Sequence, residues 1–214
     1  MQKEDSSLKE TPKPLFNPNY ADDYLKSVAW ACSKVDQEKI AQIIEVLFRA
    51  WQEKKNIYLF GNGGSASIAM HFTTDLGKGT YNEGKDRLRV FCLSENTDLM
   101  TALTNDNGWE NVYIDQIKGM IGKGDVLIGY SVHGGSGSDK AGAWSQNILK
   151  AIDYAKKQGA ITVGFSGFEG GVMKTLCDLC LVIPTFVTGQ VQDLQFAVMH
   201  IICDTLNDRI KHSE

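Results

Sequence analysis

The chain has 214 residues, 43% of them hydrophobic and 22% charged, and carries a formal net charge of −4. That length supports one complete core. It contains no apolar stretch long enough to span a membrane and no basic stripe of the kind that binds nucleic acid. Every one of its 21 glycines lies between Gly61 and Gly189, whereas three of the four prolines fall in the first eighteen residues. The glycines follow no short period, which excludes a collagen-like or low-complexity chain. The opening MQKEDSSLKETPKP has no apolar core of a secretory signal. Five scattered cysteines fit reduced, cytoplasmic thiols better than a disulfide framework.

Residues 1–18 read as a polar tail and 19–214 as one folded domain. From Asn19 to Lys54 the pattern is helical, with a break near Lys34–Asp36. In the second helix Ile40, Ile43, Ile44, Leu47, Ala50 and Trp51 form one apolar stripe, and Asp36 is placed to cap it. The period then changes. Short aliphatic runs at Ile57–Phe60, Leu88–Leu93, Val126–Tyr130, Ile161–Phe165 and Leu179–Ile183 alternate with helical segments. Near-continuous apolar strands between helices indicate a parallel sheet buried on both faces, hence a doubly wound α/β fold of five strands with the N-terminal helices as an extra layer. Cys177 and Cys180, beside the apolar run Leu181–Ile183, read as buried thiols rather than half of a metal or redox site.

Ligands in such sheets bind beyond the carboxyl ends of the strands, and two glycine-rich loops stand there. The first, Gly61-Asn62-Gly63-Gly64-Ser65, leads from a strand into a helix expected over Ala66–Leu76. Backbone N–H groups at such a turn favour an anion, although a plain tight turn needs the same residues. The sequence matches neither the dinucleotide nor the Walker pattern. The second loop, Ser131-Val132-His133-Gly134-Gly135-Ser136-Gly137-Ser138, adds hydroxyls and backbone donors at another strand end. Two such loops on one sheet edge point to a small phosphorylated ligand, with His133 either holding it or packing nearby.

His71 and Asp75 lie four apart on one helix face, and Gln192 and His200 lie eight apart on the last helix. Two imidazoles, a carboxylate and an amide suit a divalent metal such as zinc, or acid–base work. The same spacing also suits an ordinary surface pair.

Together these residues resemble the phosphoheptose isomerases of the sugar isomerase (SIS) domain superfamily. The match runs through Gly61–Ser65, Met70-His71-Phe72, Asp75-Leu76, Asn105-Asp106 with Gly108, Gly124–Ser131, and Gln192 with His200. It covers roughly residues 20–210. The resemblance implies a three-layer αβα sandwich around a flavodoxin-like five-stranded parallel sheet, and a homotetramer with sites shared between subunits. The implied reaction converts sedoheptulose 7-phosphate to D-glycero-D-manno-heptose 7-phosphate, feeding lipopolysaccharide, capsule or other surface glycans. It needs no nucleotide cofactor.

The resemblance also implies roles for individual residues. Zinc would sit on His71, Asp75, Gln192 and His200, with Asp75 as base and His200 as its partner. Asn62, Gly63, Gly64, Ser65, Ser131, His133, Ser136 and Gln192 would bind substrate and its phosphate, with Asp106 near the sugar. The departures are Asp75 in place of glutamate, His133 in place of a serine, Gly189 where an acid is expected, and an insertion after the second loop. Depending on the alignment, Ser136 or Ser145 completes the phosphate loop; loop geometry favours Ser136 and leaves Ser145 as a helix cap. The rival readings are a non-catalytic SIS protein, binding the replication initiator or sensing a sugar phosphate, and an isomerase for a different sugar phosphate.

Overall fold

The computed structural model describes residues 17–135 and 145–213. Helices α1 (Tyr20–Cys32) and α2 (Gln37–Gln52) open it. Their break falls where the sequence places it. The Asp36 carboxylate accepts from the Lys39 N–H at 3.0 Å, which satisfies one of the orphan donors at the start of α2. The two helices then differ. The stripe of α2 from Ile40 to Ala50 is buried in the main core with the sheet, whereas α1 buries Ala31 alone. Only α1 is therefore an added outer layer.

The chain continues through β1 (Asn56–Gly61), α3 (Gly64–Thr74), β2 (Arg89–Cys92), α4 (Thr97–Asn107), α5 (Ile114–Ile117) and β3 (Val126–Ser131), and then α6 (Gln146–Lys157), β4 (Ile161–Ser166), α7 (Met173–Leu176), β5 (Leu179–Val182) and α8 (Thr188–Lys211). All strand pairs are parallel, in the order β2-β1-β3-β4-β5. Each expected apolar run becomes one of these strands, and every residue of β3 is buried. Ile57, Leu59, Ile128 and Val163 face a core shared with α2, α3 and α8. Tyr58, Phe60 and Leu127 face a second core with α5, α6 and α7. That is a three-layer sandwich.

Strand order also locates the ligand crevice. From β1 the chain crosses to β2 on one side, and from β3 to β4 on the other, so the loops leaving β1 and β3 diverge and open a gap between them. Both glycine-rich loops leave these two strands.

Two local expectations need amendment. The helix placed over Ala66–Leu76 instead starts at Gly64 and ends at Thr74, after which a π-helical turn runs from Asp75 to Gly79. The Thr80 hydroxyl closes that turn on the Leu76 carbonyl at 2.6 Å. Such wider turns are found mostly at functional sites. All five cysteines are free thiols. A side chain at Gly164 would meet Cys177 Sγ at 2.9 Å and Cys180 Sγ at 3.2 Å, so the C-x-x-C pair packs onto a glycine of β4. Burial pushes the Cys177 and Cys180 thiols up, away from the reactive thiolate.

Candidate active site

The first loop is built by close approach and side-chain bonding. A Cβ on Gly61 would stand 2.7 Å from the Ser65 carbonyl, so the turn into α3 needs glycine there. Gly63, at φ 56° and ψ −125°, occupies the N-cap position. Asn62 is locked by a reciprocal amide pair: its Nδ2 donates to Asn147 Oδ1 at 3.0 Å, and Asn147 Nδ2 donates back at 2.9 Å. The Tyr113 hydroxyl also donates to Asn62 Oδ1, at 3.1 Å, and to the Gly61 carbonyl. Burial pushes the Tyr113 phenol up to about 12, so it remains a neutral donor. Ser94 completes the support by accepting from the Gly61 N–H at 3.1 Å.

The second loop is held by backbone packing. Ser131 Oγ accepts from the Gly135 N–H at 3.2 Å, and the Gly134 carbonyl accepts from the Met173 N–H at 3.0 Å. Gly134 (φ 62°) fits so closely that a Cβ there would lie 1.9 Å from the Gly170 carbonyl oxygen. The His133 ring lies against Phe168, with centroids 4.3 Å apart.

Between the loops is a cavity of about 150 Å³, lined by Asn62, Ser65, Ser131, His133, Ser145 and Gln192 among others. This is room for several waters' worth of ligand, the scale of a phosphate group. Ser145 reaches it in an unexpected way. It occupies the N-cap position of α6, but its left-handed backbone (φ 55°, ψ 35°) is not the extended geometry from which a cap side chain reaches the helix N–H groups. It stands at the cap position that the sequence offers for it but makes no side-chain cap bond, and it lines the cavity. Ser136 lies outside the described residues.

A second group lies along α3 and α8. His71 Nε2 is 3.3 Å and His200 Nε2 3.5 Å from Asp75 Oδ2, and the two Nε2 atoms are 3.4 Å apart. His71 and His200 come from helices 129 residues apart in sequence, joined at this point by packing. The Phe196 ring meets His71 edge-on at 5.5 Å. Three donor atoms at these separations match the edge of a tetrahedron around a cation with ligand bonds of roughly 2.0–2.1 Å. The residues therefore fit a zinc-like ion, and all three donors lie within 4.8 Å of one another.

Gln192 stands two turns before His200, about 12 Å along the helix axis. Its amide lies over Gly64 and lines the cavity. The stripe Gln192, Phe196 and His200 thus links the cavity to the His–Asp–His group. Asp106 is not brought to either place. It is exposed near the end of α4, and its carboxylate accepts from Asn105 at 2.8 Å. Helix α4 buries no residue and borders a broader hollow lined by Thr97, Thr101, Thr104 and Trp109.

The SIS domain family profile matches residues 22–167. A phosphoheptose isomerase of Helicobacter pylori is 36% identical over 82% of this chain and 86% of its own length. One from a Nitratiruptor species is 37% identical over 76% of this chain and 82% of its own. The chain belongs to the phosphoheptose isomerase family of SIS domain proteins. A solved phosphoheptose isomerase of Neisseria gonorrhoeae shares its fold, with TM-score 0.78 at 24% identity, covering 89% of this chain and 98% of that one.

Two features of this family member escape a reading of the sequence. Asn147, fully buried on the apolar stripe of α6, is a polar residue out of place in that pattern, and the pattern is the only hint of its bond to Asn62. At Gly189, where the resemblance calls for an acid, the Tyr24 hydroxyl would lie 2.9 Å from an added Cβ. Tyr24 donates to Asp193 Oδ2 at 2.6 Å, tying α1 to α8. The aspartate holds the tyrosine's ionisation up at about 12. Among the described residues no helix is long and apolar enough to cross a membrane.

Proposed function

We propose that the protein interconverts sedoheptulose 7-phosphate and D-glycero-D-manno-heptose 7-phosphate through an enediol. The supporting observation is the placement of an anion-sized cavity and a His71–Asp75–His200 group at two ends of one helical stripe. Their spacing of about two helical turns is of the order of an open seven-carbon chain's reach from carbonyl to terminal phosphate. Asn62, Gly63, Gly64, Ser65, Ser131, His133 and Ser145 hold the phosphate, and Gln192 contacts the sugar between the two ends. Remote binding at the phosphate then orients the reacting carbons.

Asp75 uses one carboxylate oxygen toward both imidazoles and has the other free as the base. It takes a proton from C1 of the ketose and returns it to C2, while His200 moves the hydroxyl proton from O1 to O2. His71, Asp75 and His200 would hold a zinc ion, with Gln192 as its fourth ligand or as a contact to the sugar. That ion would polarise the carbonyl oxygen. Asp106, on the exposed α4, would meet substrate across a subunit boundary in a homotetramer.

The test follows product formation by NMR, with and without chelator and added zinc. Turnover is expected, and Asp75→Asn should lower kcat at least about a hundredfold. Failure under every metal condition, together with tight binding of another sugar phosphate, would remove the heptose assignment. An unchanged rate in Asp75→Asn would remove Asp75 as base.

A further inference from the structure

Helix α8 carries Gln192 to the cavity, yet its own start is weakly built. Val187 holds the N-cap position with an extended backbone (φ −110°, ψ 113°) and makes no side-chain cap bond. Thr188 and Gly189 follow, and glycine loses more conformational freedom on entering a helix than any other residue. The first rung of the α8 ladder, the Val191 N–H on the Val187 carbonyl at 3.0 Å, comes only after them. A turn of this composition frays unless another element holds it.

That element is α1. It buries Ala31 alone, and two hydrogen bonds tie it to the first two turns of α8. The Tyr24 hydroxyl donates to Asp193 Oδ2 at 2.6 Å, and Ser27 Oγ donates to Gln190 Oε1 at 3.0 Å. Gln190 is buried, and the same oxygen accepts from Thr185 Oγ1 at 2.9 Å, on the segment entering α8. Gly189 and Asp193 lie four apart on one helix face, with Gln192 three beyond Gly189 on the adjoining strip. A Cβ at Gly189 would stand 2.9 Å from the Tyr24 hydroxyl but 3.9 Å from the ring carbon behind it, an ordinary contact. The glycine is therefore matched to the hydroxyl and not to the ring. The amide of Gln192 in turn lies over Gly64, so a shift of this turn moves the wall of the cavity.

We propose that Tyr24 is a positioning residue for Gln192: against Gly189 and Asp193, its hydroxyl sets the first turns of α8 and so the placing of the Gln192 amide over Gly64. The role rests on the isomerase reading above, in which Gln192 contacts the sugar, and it gives α1 a part in substrate binding.

The experiment compares steady-state kinetics and amide hydrogen exchange in variants of the full chain. Tyr24→Phe should raise KM for sedoheptulose 7-phosphate on the order of fivefold, while kcat changes by about twofold at most. Exchange at Val191, Gln192 and Asp193 should quicken by a similar ratio. Gly189→Ala should do the same, because its methyl displaces the hydroxyl. In the Tyr24→Phe background Gly189→Ala should raise KM no further, and the better helix propensity of alanine should raise the denaturant midpoint. That reversal separates a fitted hydroxyl from general damage to α1. In a Gln192→Ala background, Tyr24→Phe should leave KM where Gln192→Ala alone puts it. Unchanged KM and unchanged exchange in Tyr24→Phe, or a full KM effect that persists without Gln192, would overturn the role of Tyr24 and leave the isomerase reading standing. No turnover by the wild-type protein would overturn the isomerase reading, and unchanged exchange in Tyr24→Phe would then overturn the hold of Tyr24 on α8 as well.

Discussion

The two glycine-rich loops face the same cavity but are held in different ways. The loop after β1 is fixed by side chains: Asn62 is gripped by Asn147 and Tyr113, with Ser94 on the Gly61 backbone. The loop after β3 is fixed by main chain against main chain, Gly134 against Gly170 and Gly171 against the His133 carbonyl. A side-chain support can be removed one bond at a time, at a cost of about 1–3 kcal/mol for each buried partner left unsatisfied. A glycine-on-glycine contact has no such gradation, because any Cβ must displace backbone. The first loop should therefore fail gradually and the second abruptly.

The largest effect is expected at Gly134→Ala. The added methyl would overlap the Gly170 carbonyl, and the positive φ adds strain, together costing on the order of 3 kcal/mol. Denaturant unfolding should register that loss, and anion affinity should fall by about a hundredfold. A variant as stable and as tight-binding as wild type would break the contrast between the loops. Next comes Asn147→Ala, which leaves the Asn62 amide without its buried partner. A loss of about 2 kcal/mol in unfolding, with a raised KM, is expected.

Gly64→Ala sharpens the comparison in another way. Its Cβ would meet Gln192 Nε2 at 2.4 Å, but that is the tip of a flexible side chain able to swing aside. Unfolding should be nearly unchanged while KM rises by roughly tenfold, since the displaced amide lines the cavity. A smaller loss of stability than in Asn147→Ala is expected from Tyr113→Phe, about 1 kcal/mol in unfolding, because Asn147 still holds Asn62. A larger loss than in Asn147→Ala would make the tyrosine, not the amide pair, the main support of the loop.

Much of this architecture was legible because burial on both faces forces parallel strands to be nearly continuous in apolar residues. All five runs, from Ile57–Phe60 to Leu179–Ile183, stand out for that reason. The Asp36 cap and the apolar stripe of α2 were equally plain, since both depend on neighbours within one or two turns. The π-helical turn at Asp75 was not legible, because its wider ring leaves no distinct apolar period. Nor was the turning of Ser145 into the cavity, which depends on a left-handed backbone at a residue type that rarely adopts one.

Local spacing set the pairing of His71 with Asp75 and the placing of glycines just beyond strand ends. Those features belong to single elements, where residues a few positions apart must share a face or a turn. The third member of the group, His200, arrives through the packing of α8 on α3, and Asn147 reaches Asn62 only because β1 and β3 are neighbours in the sheet. Contacts spanning 85 or 129 residues carry no periodic trace in the chain. They exist because burying two faces of one sheet leaves the helices few places to lie, and that choice is made by the whole core at once.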